Sequence, residues 1–145
     1  VGAIEPDVAI LHVQRADDAG HAHCWGNLGL AREAGLAARR VILTAEEIVP
    51  SDVILSDPNR ILLPPQRVTA VAHVPGGAYP SPVQGHYGRD HAAFSEYHQR
   101  TRERAGFLEW LGEWVAGAAY PSVVLERVAG IRPKEARPAA PVDYA

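Results

Sequence analysis

The strongest constraint on the fold is a pair of short apolar runs separated by a segment of helix formers. Residues 7–13 read Asp-Val-Ala-Ile-Leu-His-Val and residues 40–45 read Arg-Val-Ile-Leu-Thr-Ala. Runs of this length, rich in β-branched residues, are typical of buried strands. Residues 30–39 lie between them and are dominated by Ala, Leu and Glu, which favour a helix. A strand, a helix and a strand in succession predict parallel strands joined by a right-handed crossover.

Shorter segments extend this pattern. Residues 14–20 are polar and contain turn formers, so the first strand is expected to end there, before a short extended piece over 21–25. Residues 68–74 alternate in the way a strand does. Between these segments we expect a short helix over 50–55 and a brief strand over 61–63.

The last third of the chain is predicted to be helical. Asp90 has the side chain of a helix N-cap, and a helix is expected over 91–102. After this helix, large apolar residues recur at intervals of three and four positions, which predicts a helix with one apolar face. That face must be buried in this chain or against another. This apolar stripe consists of Phe107, Trp110, Leu111, Trp114 and Val115. Pro121 suits a first-turn position, so a final short helix is expected over 121–128.

Composition agrees with one globular domain of the α/β class. The chain has 145 residues, of which 47% are apolar and 21% charged, a balance found in soluble domains with a single core. We predict an open, mostly parallel sheet with helices and a carboxy-terminal helical segment. The domain is expected to span residues 1–130. Residues 131–145 contain Pro133, Pro138 and Pro141 and are expected to form an extended or disordered tail.

Charge and apolar patterning exclude two classes of partner. The 14 basic and 17 acidic residues give a net charge of −3, and the basic stripe that follows a nucleic-acid backbone is absent from the sequence. No apolar run approaches the roughly 18 residues of a membrane span. We therefore expect no nucleic-acid partner and no membrane insertion.

Cysteine content and the first residues bear on the compartment. Cys24 is the only cysteine, and the sequence opens without the charged and then apolar pattern of a secretory leader. We therefore expect a cytoplasmic location. The sequence contains no methionine, so we also expect it to be part of a longer protein.

Two short motifs carry both a functional and a structural interpretation. His21 and His23 alternate beside Cys24 in the manner of zinc ligands, but zinc needs a further suitable ligand and no Cys-x-x-Cys pair supplies it. We therefore predict no metal site. Glu46 and Glu47 follow a buried strand, where α/β sheets collect functional groups, yet paired acids also begin helices. No P-loop, GxGxxG or GxSxG motif is present.

Residues 75–89 form the longest predicted loop. They include four glycines and three prolines, and loops of this length are usually functional or disordered. Aromatic, amide, imidazole and guanidinium side chains favour an ordered loop that contacts a substrate or another polypeptide. The candidate contact residues are Tyr79, Ser81, Gln84, His86, Tyr87 and Arg89. For each of them a purely structural role is an equal alternative.

Ordered blocks between residues 6 and 128 follow the pattern of one protein family. Residues 40–49 read Arg-Val-Ile-Leu-Thr-Ala-Glu-Glu-Ile-Val, residues 56–60 read Ser-Asp-Pro-Asn-Arg, and residues 110–115 read Trp-Leu-Gly-Glu-Trp-Val. The other matching positions are 6–17, 20, 25–26, 32–34, 37–39, 74–75, 77–78, 80–81, 84–85, 87 and 89–90. Together these blocks resemble the carboxy-terminal half of the A subunit of family I coenzyme A transferases, of the glutaconate CoA-transferase type.

The resemblance implies a CoA-transferase-like fold and a covalent mechanism. In this family a glutamate, normally on the B subunit, attacks the acyl-CoA thioester. It forms an acyl-glutamyl anhydride and then a glutamyl-CoA thioester, from which the acceptor acid takes the CoA. The resemblance thus implies no catalytic residue in this chain, because Glu46 and Glu47 match a structural block of the A subunit.

The resemblance also implies the partners. These are a B subunit, the amino-terminal half of the A subunit, an acyl-CoA and a carboxylic acid. Coenzyme A enters as a substrate thioester, and no bound cofactor is implied.

This sequence departs from the family pattern at a few positions. His21 and His23 stand where the family usually has Asn and Gln, which favours a structural role for both histidines. Tyr79 stands in place of a usual histidine, and Thr69 and Gly88 in place of usual aspartates. The resemblance therefore leaves the identity of the acid open.

Three functions fit these observations. The first is the A-subunit portion of a CoA-transferase. The second keeps the scaffold but hydrolyses a carbon ring in a CoA-linked substrate, as some relatives in steroid breakdown do. The third is a non-catalytic assembly module that supplies only interface surface.

Overall fold

The computed structural model describes residues 2–116 and 120–131, which group into two compact units. In this part of the chain, one unit extends to Gly77 and the other begins at Ala78. The tail predicted over 131–145 lies outside the described residues except at Ile131. The single domain predicted for residues 1–130 stays a prediction.

The first unit is built on a four-stranded sheet with the order β2-β1-β3-β4. The strands are β1 (Val8–Ala16), β2 (Ala22–His23), β3 (Arg40–Ile48) and β4 (Val68–His73). β1, β3 and β4 are parallel, and the short β2 pairs with β1 in the antiparallel direction. The predicted open, mostly parallel sheet is confirmed.

The core of this unit lies on one face of the sheet. α1 (Ala31–Ala37) precedes β3, and α2 (Ser51–Leu55) lies between β3 and β4 with two 3-10 turns, Pro58–Arg60 and Pro65–Arg67. Side chains of β1 and β3 pack with residues of both connections. The core residues are Ala9, Leu11, Val13, Ala16, Ala22, Ala38, Val41, Leu43, Ala45, Leu62 and Leu63. When successive right-handed crossovers move across a sheet in one direction, the segments that connect the strands lie on the same face. The core contains residues from both connecting segments, in agreement with this rule.

Gly35 lets α1 approach the sheet closely. It is the buried residue of α1, and a Cβ at this position would contact Cδ1 of Leu63 and lie 3.1 Å from Cδ1 of Leu11. Glycine has a low helix propensity, but Gly35 is needed here because it allows α1 to pack closely against Leu63 and Leu11.

The second unit is helical in its larger part. Its helices are α3 (His91–Arg100), α4 (Arg104–Leu111) and α5 (Tyr120–Gly130), and a π-helical turn, Gly112–Ala116, follows α4. Val83 and Tyr87, which precede α3, pack with Val124 and Val128 of α5 in a small core. The predicted carboxy-terminal helical segment is confirmed. Within residues 2–116 and 120–131, no helix combines the length and the apolar composition that crossing a bilayer requires.

The predicted ends of two strands are wrong. β1 continues through polar residues to Ala16, and β3 continues past Ala45 to Ile48. Polar side chains are accommodated there because they pair across the sheet. Nε of Arg15 donates to Oε2 of Glu47 at 3.1 Å, and the two residues are opposite one another in the register.

The strand predicted over residues 61–63 is also wrong. Ile61 makes one isolated antiparallel bridge with His23, while Leu62 and Leu63 are core residues outside any strand. A 3-10 turn precedes this segment, and prolines at positions 64 and 65 follow it. Proline has no N–H to donate, so too few residues remain for a ladder.

The apolar stripe predicted from Phe107 to Val115 does not lie on one continuous α-helix. α4 ends at Leu111 and the π-helical turn begins at Gly112, which changes the periodicity. Trp110 and Trp114 are half-buried with their ring centres 6.0 Å apart, whereas Val115 is 64% exposed. The stripe is therefore only partly buried.

Candidate functional site

A histidine and a glutamate meet on neighbouring parallel strands of the first unit. Nε2 of His12 on β1 lies 2.7 Å from Oε1 of Glu46 on β3, and Nδ1 lies 2.9 Å from Oγ1 of Thr44. The side chains of His12 and Glu46 are 14% and 5% exposed. Glu46 is close to the carboxyl end of β3, the edge at which open α/β sheets commonly place ligand sites.

The turn that follows β4 closes over this pair. The backbone N–H of Gly76 donates to both carboxylate oxygens of Glu46, at 3.1 and 3.0 Å. Gly76 has a φ of 78°, a conformation that suits glycine. A Cβ at Gly77 would lie 2.8 Å from Cε1 and Nδ1 of His12, so the backbone passes directly over the imidazole. We name His12, Thr44, Glu46, Gly76 and Gly77 the His12 cluster.

The His12 cluster holds its carboxylate as a hydrogen-bond acceptor. In the tautomer that carries its proton on Nε2, His12 donates to Oε1 of Glu46, and the Thr44 hydroxyl donates to Nδ1. With the Gly76 amide also directed at it, the carboxylate has little access to a substrate carbonyl. Glu47 has a more exposed side chain, at 29%, but it is paired with Arg15.

A second group of side chains surrounds Trp25. Cζ of Arg15 lies 5.8 Å and Cζ of Arg60 5.3 Å from the centre of the indole ring, within cation–π range. Nε of Arg60 also pairs with Oδ2 of Asp57 at 2.9 Å. The sequence pattern points to Glu47 here but not to Arg15 or Trp25, because only the fold brings these residues together.

The histidines considered as zinc ligands have separate protein partners. Nδ1 of His21 lies 2.8 Å from Oδ2 of Asp17. Nε2 of His23 lies 2.8 Å from the carbonyl oxygen of Ile54 and 3.0 Å from that of Asp57. Among residues 2–116 and 120–131, no group of three or more His, Cys, Asp or Glu side chains is placed to hold a metal ion.

Two titratable groups beside these histidines have shifted pKa values. Burial acts to raise the pKa of Asp17, but hydrogen bonds from Ser51 and His21 outweigh it and leave the pKa below its usual value. The same carboxylate accepts the N–H of Ala19 at 3.0 Å and so organises the turn after β1. Burial raises the pKa of the Cys24 thiol, which favours its neutral, unreactive form.

In the second unit, Tyr79 is the centre of a polar network. Its hydroxyl donates to Oδ2 of Asp90 at 2.8 Å and accepts from Nη1 of Arg127 at 3.4 Å. Arg127 also donates to Oε2 of Glu96 at 3.2 Å, and its Cζ lies 4.7 Å from the centre of the Trp114 ring. The network ties the loop before α3 to α5.

Asp90, Tyr79 and Arg127 of this network have shifted pKa values, each with a physical cause. The hydrogen bond from the backbone of Ala93 is the largest contribution that lowers the pKa of Asp90, and Tyr79 and Arg127 add to it. Burial is the largest contribution that raises the pKa of Tyr79. The hydrogen bond to Tyr79, followed by that to Glu96, raises the pKa of Arg127. At neutral pH the network therefore contains a carboxylate, a neutral phenol and a guanidinium.

Three of the six predicted contact residues lie inside or partly inside the loop. His86 and Tyr87 are each 2% exposed, and the Tyr87 hydroxyl accepts the N–H of Ala78 at 3.2 Å. Ser81 is half-buried, and its N–H donates to the carbonyl of Ala78 at 2.9 Å. The loop is therefore an ordered structure built around its own side chains.

Two other predicted contact residues, Gln84 and Arg89, are exposed. Cζ of Arg89 lies 5.0 Å from the centre of the Phe94 ring, which orients the guanidinium along α3. The structure thus groups Tyr79 and Tyr87 around Ala78, and it leaves Gln84 and Arg89 with the most accessible side chains of the six.

An aromatic groove lies beside Tyr79. Its volume is about 380 Å³, and it is lined by Tyr79, Pro80, Trp110, Trp114 and Val115. The rings of Tyr79 and Trp114 stack with centres 6.3 Å apart. Tyr79 was predicted in the loop and the tryptophans on a helix, but nothing in the sequence pattern indicates that they are in contact.

The two units of this chain have counterparts in a known family of enzymes. The model of the coenzyme A transferase family matches residues 1–73 of the 145-residue chain. The chain belongs to the coenzyme A transferase family, which confirms the resemblance found in its sequence blocks.

Two curated relatives are A subunits of such enzymes. The chain is 41% identical over 117 residues to the A subunit of 3-oxoadipate CoA-transferase from Pseudomonas knackmussii, covering 81% of this chain and 41% of that protein. It is 34% identical over 109 residues to the A subunit of glutaconate CoA-transferase from Acidaminococcus fermentans, covering 75% of this chain and 34% of that protein. The chain therefore spans less than half the length of either relative.

Solved structures share the fold. The crystal structure of glutaconate coenzyme A-transferase from Acidaminococcus fermentans matches with a TM-score of 0.82 and 28% identity, over 94% of this chain and 44% of that chain. A variant of the decarboxylase AibA/AibB matches with a TM-score of 0.55 and 29% identity, over 86% of this chain and 41% of that chain. The predicted CoA-transferase-like fold is confirmed.

Proposed function

We propose that this chain is the carboxy-terminal part of a CoA-transferase A subunit that moves CoA between an acyl-CoA thioester and a carboxylic acid. The observation that carries the proposal is the 41% identity to the A subunit of a 3-oxoadipate CoA-transferase. The proposed partners are the amino-terminal half of the A subunit and a B subunit, in a cytoplasmic hetero-oligomer. The names of the relatives make 3-oxoadipate and glutaconate the first acids to assay.

The nucleophilic glutamate is proposed to lie on the B subunit. To attack a thioester, a carboxylate must come within about 3–3.5 Å of its carbonyl carbon. The Glu46 side chain is instead 5% exposed and hydrogen-bonded to His12 and to the Gly76 N–H. The Glu47 carboxylate forms an ion pair with Arg15. These contacts support structural roles for both acids of this chain.

The proposed reaction exchanges acyl bonds of similar energy. The B-subunit carboxylate bonds to the thioester carbonyl carbon, and the CoA thiolate leaves to give an acyl-glutamyl anhydride. The thiolate then attacks the glutamyl carbonyl and releases the donor acid, which leaves a glutamyl-CoA thioester. The acceptor carboxylate repeats the two steps in reverse and leaves as the new acyl-CoA. Coenzyme A is a substrate throughout, and no bound cofactor is required.

The first test locates the covalent intermediate in the assembled enzyme. The two kinds of chain are incubated with an acyl-CoA without acceptor acid, the thioester intermediate is trapped with hydroxylamine, and each chain is analysed by mass spectrometry. We expect ping-pong kinetics and a modified glutamate only on the B subunit. Modification of Glu46 or Glu47 would overturn the assignment.

The same assay separates the alternatives. Release of a ring-opened CoA product without an acceptor acid would favour the ring-cleaving hydrolase. Loss of carbon dioxide would favour a decarboxylase, the activity named for a protein of the same fold. An assembled complex without turnover of any acyl-CoA would favour the non-catalytic assembly module.

The loop before α3 is proposed to contact the B subunit through Arg89 and Gln84, while Tyr79, Ser81, His86 and Tyr87 hold its shape. We expect Arg89→Ala to weaken A–B association by about tenfold, as loss of an interface charge does, without changing KM for the acid in the saturated complex. Association is measured by titrating labelled B subunit. Arg104→Ala, an exposed arginine of α4, is the matched control. A raised KM with unchanged association would show that Arg89 contacts the substrate instead.

A further inference from the structure

We propose that one face of the four-stranded sheet is the surface on which the remaining part of a CoA-transferase A subunit packs, through the apolar side of a helix. The inference rests on the proposed function, because it takes this chain to be part of an A subunit. The face is formed by Val8, Ile10, Ile42, Ala70 and Ala72, which we name the open face.

Exposure along β1 distinguishes the open face from the packed one. Val8 and Ile10 are 45% and 68% exposed, whereas Ala9 and Leu11 are each 8% exposed. Successive side chains of a strand point to opposite faces. In the amino-terminal half of β1, the large β-branched side chains of Val8 and Ile10 therefore line the open face, while Ala9 and Leu11 lie in the core.

The register carries the open face across the sheet. Ile10 is opposite Ile42, and Ile42 is opposite Ala70. Residues opposite one another project from the same face. Ala70 and Ala72 are exposed and Ile42 is half-buried. The result is a surface of branched side chains on β1 and β3 next to alanines on β4, which is suited to an apolar helix. The exposed Arg40 lies opposite Val8 and adds a charge at the amino-terminal end of β3.

Topology explains why this face is uncovered. β1, β3 and β4 are neighbours in that order and run parallel. Right-handed crossovers between strands that advance in one direction all lie on the same face, and the core residues Ala38, Leu62 and Leu63 place both connections there. Parallel sheets are normally covered by helices on both faces. The open face therefore needs polypeptide from outside these connections.

The family relatives supply an occupant. The P. knackmussii protein matches this chain over only 41% of its length, so more than half of that A subunit lies outside the match. A second copy of this chain is the competing occupant. Helices, not sheets, cover parallel strands in α/β domains, which favours the A-subunit polypeptide.

Thiol reactivity tests the proposal. The probe protein is a full-length chimera in which this chain replaces the 117 matching residues of the P. knackmussii protein, and residues 1–145 alone serve as the comparison. Both carry Cys24→Ser and either Ile10→Cys or Leu36→Cys. Leu36 is the matched control, since it is 49% exposed on α1. A maleimide reports the modification rate of each introduced thiol.

We expect the thiol introduced by Ile10→Cys to react at least about tenfold more slowly in the chimera than in residues 1–145, because it is accessible only through local opening. The thiol introduced by Leu36→Cys should react at the same rate in both. Equal rates at position 10, or equal slowing at both positions, would overturn the proposal. Slow reaction at position 10 in residues 1–145 that accelerates on dilution would assign the face to a second copy.

If the chimera does not fold, the same proposal is tested with two separate polypeptides. Residues 1–145 are co-expressed with the rest of the P. knackmussii protein, and copurification is measured. We expect Ile10→Lys to abolish copurification and Leu36→Lys to retain it. The proposal fails if the unsubstituted chains do not copurify or if both variants do. Neither experiment measures catalysis. If the open face is covered but the assembled protein has no CoA-transferase activity, only the proposed function is refuted.

Discussion

Glu46→Ala is expected to lower the free energy of unfolding of the first unit by about 3 kcal/mol, since it leaves buried donors without their acceptor. The Gly76 N–H lies 3.0 Å from one carboxylate oxygen and His12 Nε2 lies 2.7 Å from the other. Water has little access to either donor, because the backbone at Gly77 passes over the imidazole and the His12 side chain is only 14% exposed. Urea unfolding followed by far-ultraviolet circular dichroism gives the difference as a shift in midpoint at constant slope.

Two further variants identify the cause of this loss. Glu46→Gln keeps the size and one acceptor oxygen of the side chain, so we expect about half of the destabilisation. Glu47→Ala is the matched control, because its side chain is 29% exposed and its ion pair with Arg15 is partly solvated. A loss of about 1 kcal/mol or less is expected for such a pair. Equal losses for Glu46→Ala and Glu47→Ala would contradict a special role for the His12 cluster.

The sheet was predictable because its signal is local. Residues 7–13, 40–45 and 68–74 each contain enough apolar residues to identify a strand, and the helix formers between the first two runs identify a parallel crossover. The strand ends were not predictable in this way. Arg15 and Glu47 look like the polar residues of a loop, and they belong to strands only because the register places them opposite one another.

The candidate site depends on contacts that are distant in sequence. His12 meets Thr44 and Glu46 at separations of 32 and 34 residues, and Tyr79 meets Arg127 at a separation of 48. No short motif contains such pairs. Glu46 and Tyr79 could therefore be singled out from the sequence, but their partners follow only from the strand register and from the packing of α5.

Gly106→Ala and Gly112→Ala, six residues apart on the α4 segment, are expected to change stability in opposite directions. A Cβ at Gly106 would clash with the backbone carbonyl oxygen of Arg100. A backbone atom cannot rotate away, so the turn between α3 and α4 must open. The edge-to-face contact of Tyr97 with Trp110, with ring centres 4.8 Å apart, is then lost. We expect Gly106→Ala to cost about 2–4 kcal/mol, at the upper end of overpacking substitutions.

Gly112 provides the matched control because a Cβ there would meet no atom within 4 Å. Its φ of −61° and ψ of −44° are helical, so Gly112→Ala should stabilise the unit by about 0.5–1 kcal/mol through the lower entropy of the unfolded chain. Thermal unfolding measures both changes, and near-ultraviolet circular dichroism reports the tryptophan environment. If the two variants destabilised equally, glycine flexibility in this segment would be the cause, and the close approach of α4 to the end of α3 would have no energetic weight.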